Sequence, residues 1–92
     1  MTSERSVRVL LAEDDEEVRE TTALVLEQFG FTVTAAANGV EAAHLEAEAD
    51  FDVAVLDVAM PQMDGLVLTR LLRQRGSLPI LLLTARDMPG DI

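Results

Sequence analysis

The stretch Asp52-Val-Ala-Val-Leu-Asp57 is a short apolar run that ends on a carboxylate. Two other runs share this form: residues 7–12 precede Glu13 and Asp14, and residues 80–83 precede Thr84. Near-continuous apolar runs of this length are typical of parallel strands covered on both faces. If the three runs are neighbouring strands, their polar end residues meet at one edge of the sheet. That edge is where open α/β sheets bind ligands.

Longer amphipathic segments separate these runs. The sequence predicts strands at residues 7–12, 31–35, 52–57 and 79–84, and helices at 15–29, 39–49 and 65–75. Asp14 or Asp15, Asn38 and Asp64 are the expected N-caps of the three helices. Strictly alternating strands and helices with short connections predict a parallel sheet with right-handed crossovers.

Two helices have an apolar stripe that predicts which side faces the core. For the first helix this stripe is Val18, Val25 and Phe29, completed by Thr22 or Leu26. For the third helix it consists of three leucines, Leu68, Leu71 and Leu72.

Composition limits both the size and the partners of this chain. The 92 residues form one domain at most, and 17 acidic against 7 basic residues give a formal net charge of −10. So acidic a chain has no electrostatic attraction of its own for nucleic acid or an anionic membrane. It has no Cys, which excludes disulfides and thiolate metal sites, and no apolar run approaches the roughly 20 residues of a membrane span. We therefore expect a cytoplasmic location and no membrane partner.

Several short motifs together resemble the receiver domain of two-component response regulators: Glu13-Asp14, Asp57, Met60-Pro61, Asp64-Gly65 and Thr84-Ala85. The resemblance covers the chain from Val7 to about Asp87. It implies a flavodoxin-like, doubly wound parallel sheet with strand order 2-1-3-4. The segment Leu83-Thr-Ala-Arg-Asp87 is similar to the branch of the family whose output domain is a winged-helix DNA-binding module.

The resemblance also implies that residues 1–92 are an incomplete receiver domain. The family's fold continues with an α-β-α segment after the fourth strand, and its phosphate-contacting lysine and switch aromatic lie on the fifth strand. This sequence has no Lys at all. The apolar fourth strand is then expected to be an exposed edge, which allows a homodimer by strand pairing or segment exchange.

Residue roles follow from the same resemblance. Asp57 is the expected acceptor of a phosphoryl group from a sensor histidine kinase, and Thr84 the expected contact of that group and first element of the switch. Mg²⁺ is the expected cofactor, held directly by Asp14, Asp57 and the backbone carbonyl of Ala59, with Glu13 acting through water. Carboxylates crowded at one edge repel one another unless a cation is present, and oxygen ligands suit Mg²⁺.

The predicted function is therefore a phosphorylation-dependent switch that controls transcription through a DNA-binding effector domain outside this chain. Apart from slow self-dephosphorylation, no enzymatic activity is expected. One alternative is a phosphatase with an aspartyl-phosphate intermediate. Such enzymes need a second Asp two residues after the nucleophile, where this chain has Ala59. The other alternative is a pseudo-receiver that is never phosphorylated and serves as a protein-interaction module.

Overall fold

Four strands and three helices alternate along the part of the chain that the computed structural model describes, residues 6–58, 60 and 64–83. In chain order they are β1 (Arg8–Ala12), α1 (Glu16–Gln28), β2 (Thr32–Ala36), α2 (Gly39–Glu48), β3 (Val53–Asp57), α3 (Gly65–Arg75) and β4 (Ile80–Leu83). Every predicted element is present, and its described ends lie within one residue of the predicted ones.

The strands form one parallel sheet in the order β2-β1-β3-β4, as predicted. The register aligns the carboxyl ends of the strands, since Ala12 of β1 lies beside Ala36 of β2 and Leu56 of β3. Asp57 in turn pairs with Leu83 of β4. The residues that follow Ala12 therefore emerge next to Asp57.

Each helix begins at a side-chain cap. The carboxylate of Asp15 accepts from the backbone N–H of Val18, and the carboxylate of Asp64 accepts from that of Val67. At α2 the capping box is complete, because Asn38 accepts from the N–H of Glu41 while the Glu41 carboxylate accepts from that of Ala37. Of the two candidates for the cap of α1, the structure selects Asp15.

The two faces of the sheet are covered unequally. The face under α2 and α3 carries the larger buried cluster, which consists of Leu10, Ala12, Ala36, Ala42, Ala43, Ala54, Leu56, Met60, Leu68 and Leu72. The face under α1 carries a smaller one, Val9, Leu11 and Val55. The predicted inner face of α3 is confirmed, since Leu68 and Leu72 are buried and Leu71 packs against them.

The predicted inner face of α1 is wrong for Val18, Val25 and Phe29, and is confirmed for Leu26. Val18, Val25 and Phe29 are 41%, 44% and 76% exposed, while Ala23 and Leu26 pack on the sheet. The stripe that faces the sheet also contains Arg19 and Thr22, both partly buried. Thr22 is an expected member of this stripe, whereas Arg19 is not, because a charged residue does not fit an apolar pattern.

β4 lies at the edge of the described sheet, as predicted, and its residues Leu81, Leu82 and Leu83 are exposed. Pairing of this edge with a second copy, or exchange of a segment, stays a prediction. Within the described ranges no helix is long and apolar enough to cross a bilayer.

Candidate metal centre

Three carboxylates converge at the carboxyl end of the sheet. Oxygen atoms from Glu13, Asp14 and Asp57 all lie within 4.8 Å of one another. Glu13 and Asp57 are only 7% and 5% exposed, whereas Asp14 is open to solvent. Among the residues described, this is the one set of three or more acidic or histidine side chains close enough to share a metal ion.

The loop between β1 and α1 holds Glu13 and Asp14 in place through a series of hydrogen bonds. The backbone N–H of Glu13 donates to the carbonyl of Ala36 at 3.1 Å, which extends the pairing of β1 with β2. The Glu13 carboxylate accepts from the N–H of Asp15 at 3.1 Å. From the other side, the guanidinium of Arg19 donates to the carbonyl of Glu13 at 3.0 Å.

Asp57 is fixed by the backbone on both sides of it. It is the last residue of β3, and the N–H of the next residue, Val58, donates to the carbonyl of Leu83 at 2.9 Å. The N–H of Gly65 donates to the carbonyl of Val58 at 3.0 Å, which draws the start of α3 against the strand end. A Cβ at position 65 would lie 2.5 Å from the Asp57 carbonyl oxygen, so this close approach requires glycine.

Burial raises the pKa of the Glu13 carboxyl, and the nearby charges of Asp57 and Asp14 act in the same direction. The hydrogen bond from the N–H of Asp15 opposes this rise by stabilising the carboxylate. Burial and like charges both disfavour the ionised form of Glu13, so a proton or a cation would relieve the cluster.

The chemistry of the donor set fits Mg²⁺. All three groups offer oxygen, and Mg²⁺ is usually bound by one or two carboxylates while it keeps several waters. The exposed side chain of Asp14 leaves an approach from solvent. A cavity of about 100 Å³ opens beside the cluster and is lined by Leu11, Ala12, Glu13, Val18, Thr22, Asp57 and Leu83.

The structure thus brings together three of the five predicted site residues: Glu13, Asp14 and Asp57. The other two, Ala59 and Thr84, lie outside the described residues. Sequence reasoning missed the contact of Arg19 with this loop. A basic residue on an acidic helix was the only available signal, and it did not reveal which way the side chain points.

Comparison with known proteins gives one consistent result. A family model described as the response regulator receiver domain matches residues 9–92. The chain is 51% identical over 87 residues to the response regulator MprA of Mycobacterium ulcerans strain Agy99, an alignment that covers 94% of this chain and 38% of that protein. This chain therefore spans about two fifths of the length of the curated relatives it matches.

Solved structures agree with the sequence comparisons. The chemotaxis protein CheY4 of Vibrio cholerae superposes with a TM-score of 0.86 at 32% identity, over 95% of this chain and 75% of that one. The response regulator TrrA of Thermotoga maritima, solved in complex with Mg²⁺-BeF, gives a TM-score of 0.81 at 30% identity, over 88% of this chain and 71% of that one.

Proposed function

This chain belongs to the response regulator receiver domain family, and on that basis we propose that Asp57 accepts a phosphoryl group at a Mg²⁺ site formed with Asp14 and Glu13. Receiver domains are signalling domains rather than enzymes in their own right. The observation that carries the proposal is the convergence of the three carboxylates within 4.8 Å at the end of β3.

Asp57 supplies the nucleophile. One of its carboxylate oxygens forms a bond to phosphorus while the phosphorus–nitrogen bond of a phosphohistidine donor breaks, and the imidazole leaves as the neutral base after taking up a proton. The product is an acyl phosphate on Asp57. The end of β3 orients the Asp57 carboxylate, because the backbone of the next residue, Val58, is hydrogen-bonded both to β4 and to the start of α3. The cavity beside Asp57 gives the incoming group room.

Asp14 and Glu13 would bind the Mg²⁺ that this step requires. Mg²⁺ bound there would screen the negative charge that the acceptor and the phosphoryl oxygens share. Asp14 and Asp57 are the proposed direct ligands together with the carbonyl of Ala59, and buried Glu13 acts through water. The bond from the Asp15 N–H to the Glu13 carboxylate supports this indirect role, because it keeps one Glu13 oxygen turned towards its own loop.

The proposal extends to partners through the relatives. A sensor histidine kinase in the cytoplasm is the proposed phosphoryl donor. Thr84 is proposed to contact the phosphoryl group and to begin the conformational switch. Because the chain covers 38% of the response regulator MprA of M. ulcerans, control of DNA is proposed to act through an effector domain outside residues 1–92. Any loss of the phosphoryl group is proposed to be slow self-hydrolysis, since Ala59 carries no side chain that could activate water.

Incubation with acetyl phosphate and Mg²⁺, followed by intact-mass measurement, tests the proposal. We expect one phosphoryl group per chain, dependent on Mg²⁺, absent in Asp57→Asn and retained in the control Asp50→Asn. Release of many equivalents of phosphate would instead indicate a phosphatase. Absence of both adduct and turnover, in this chain and in one extended to the full length of its relatives, would indicate a protein-interaction module.

A further inference from the structure

We propose that Arg19 is a positioning residue, which ties α1 to the loop carrying Glu13 and Asp14 and so fixes the two carboxylates for the cation. The inference rests on the proposed Mg²⁺ site. Its structural part, the tether itself, can be tested without the metal.

The tether is visible as hydrogen bonds from one side chain to the loop backbone. Nη1 of Arg19 donates to the carbonyl of Glu13 at 3.0 Å, and the carbonyl of Asp14 lies 3.5 Å from the same atom. One guanidinium nitrogen therefore lies against two successive carbonyls of the loop, and the carbonyl of Glu13 is the closer. The 2.8 Å bond from the backbone N–H of Arg19 to the carbonyl of Asp15 belongs to the first turn of α1 and does not depend on the guanidinium.

The position of Arg19 runs against two local preferences. It lies in the second turn of α1, close to the positive end of the helix dipole, where acidic residues such as Glu16 and Glu17 are favoured and cations are not. It also belongs to the partly buried stripe that faces the sheet, where an apolar residue would be expected. A residue that breaks local rules in this way needs a compensating interaction, and the loop carbonyls provide it.

Without the guanidinium, the peptide that joins Glu13 to Asp14 would lose its contact with α1. The bonds at either end of the loop would remain, from Glu13 N–H to Ala36 and from Val18 N–H to the Asp15 carboxylate. The bond from the Asp15 N–H to the Glu13 carboxylate would also remain, but it does not hold the Glu13 carbonyl. The peptide could therefore rotate, and its rotation turns both carboxylates. Binding to a loop that must first be ordered is weaker than binding to one already in place.

The hydrogen bonds of Arg19 and its positive charge predict opposite effects on Mg²⁺ binding, so a single affinity measurement distinguishes between them. Arg19 places a positive charge beside the loop that carries Glu13 and Asp14. If only its charge mattered, removing it would strengthen the binding of a cation. If its hydrogen bonds matter, removing them weakens binding although repulsion of the cation has also been removed.

The test compares Arg19→Gln with the matched control Arg70→Gln, which removes an exposed guanidinium from α3. We expect Arg19→Gln to raise the Kd for Mg²⁺ roughly tenfold, as mutations of groups that orient metal ligands do. In the metal-free protein, hydrogen exchange at the amides of Glu13 and Asp15 should be about tenfold faster, as expected for loss of a hydrogen bond to a charged group. Arg70→Gln should change neither quantity.

Arg19→Lys keeps the positive charge but replaces the planar guanidinium with a single ammonium group. It provides a second test variant if Arg19→Gln does not fold. It should show the same two changes in smaller size. An unchanged or tighter Mg²⁺ affinity in the Arg19 variants, or unchanged exchange in the loop, overturns the inference. If the unmodified protein binds no Mg²⁺, the proposed function fails, but exchange in the metal-free protein still decides whether Arg19 holds the loop.

Discussion

Two acidic regions lie at opposite ends of the same sheet, and only one of them has the geometry of a metal site. At the carboxyl end are Glu13, Asp14 and Asp57. At the amino end, Glu46, Asp50 and Asp52 line an open cavity of about 370 Å³ together with Phe51, Gly76, Ser77, Leu78 and Pro79. The amino-end cavity is the larger of the two, so size does not distinguish the site.

The regions differ in what surrounds each carboxylate. At the amino end, Oε1 of Glu46 accepts from the guanidinium of Arg75 at 2.7 Å, and Oδ2 of Asp52 accepts from the N–H of Arg8 at 2.8 Å. At the carboxyl end, oxygens of three carboxylates face one another, and two of the side chains are buried. The difference shows that the convergence of carboxylate oxygens from separate elements, rather than acidic content, indicates a cation site in this fold.

The two ends of α3 provide the largest expected contrast. At Gly65, an added Cβ would lie 2.5 Å from the backbone oxygen of Asp57 and 2.9 Å from Cα of Val58, which cannot move without shifting β3. We expect Gly65→Ala to lower the free energy of unfolding by about 3 kcal/mol, the upper end of the range for overpacking. At Gly76 no atom lies within 4 Å of an added Cβ.

Urea unfolding of both glycine variants is the measurement. Gly76→Ala should change stability by less than about 0.5 kcal/mol, as surface substitutions usually do. Equal losses for the two variants would show that the approach of α3 to the end of β3 is not as close as described.

The second contrast concerns cation binding at the two acidic regions. Asp14→Asn removes a proposed ligand and should weaken Mg²⁺ binding by at least tenfold, or about 1.4 kcal/mol. Asp50→Asn removes the same charge from the amino end and should leave the affinity almost unchanged. Isothermal titration calorimetry of the two variants measures this, and similar losses in both would mean that general electrostatic attraction, not a site, binds the ion.

A smaller effect is expected in the pH dependence of stability. Burial raises the pKa of Glu13, so the folded, metal-free protein holds this proton more tightly than the unfolded chain does. The protonated Glu13 carboxyl therefore makes its full contribution to the free energy of unfolding below the ordinary pKa of Glu. That contribution is lost as pH rises through the raised pKa. Thermal unfolding in EDTA should show this decline, and Glu13→Gln should flatten it.

Saturating Mg²⁺ should change the sign of this dependence, because metal binding requires the deprotonated carboxylates. Stability would then increase with pH over the same interval. A decline that persists unchanged in Glu13→Gln would assign the effect to another group.

The smallest effect is expected at the ion pair of the amino end. The side chains of Arg75 and Glu46 are 38% and 19% exposed, and pairs this accessible contribute less than about 1 kcal/mol. Glu46→Gln should therefore lower the melting temperature only slightly and leave Mg²⁺ affinity unchanged. A large loss of stability would show that this pair, rather than the neighbouring apolar packing of α2 on α3, holds the two helices together.

Much of this arrangement could be predicted from the sequence because it depends on strand ends. The apolar run before Asp57 and the run before Glu13 each fix a buried strand, and parallel neighbours bring their ends together. The caps at Asn38 and Asp64 were equally predictable, because they depend on contacts only three residues away.

The orientation of α1 could not be predicted in the same way. Its apolar residues Val18, Val25 and Phe29 have a helical spacing, yet the stripe that contacts the sheet includes Arg19 and Thr22. The bond from Arg19 to the Glu13 carbonyl accompanies this orientation and is a tertiary interaction without a periodic signal. The close approach at Gly65 is likewise a property of two elements packed together, and is invisible in either alone.

The most direct test replaces Mg²⁺ with paramagnetic Mn²⁺, which prefers similar oxygen ligands, and follows the broadening of backbone amide signals by NMR. If one cation binds where Glu13, Asp14 and Asp57 converge, the amides of these residues and of Val58 should broaden first, and Asp14→Asn should suppress the effect. Earlier broadening at Asp50 and Asp52, or no preference between the two ends of the sheet, would contradict it.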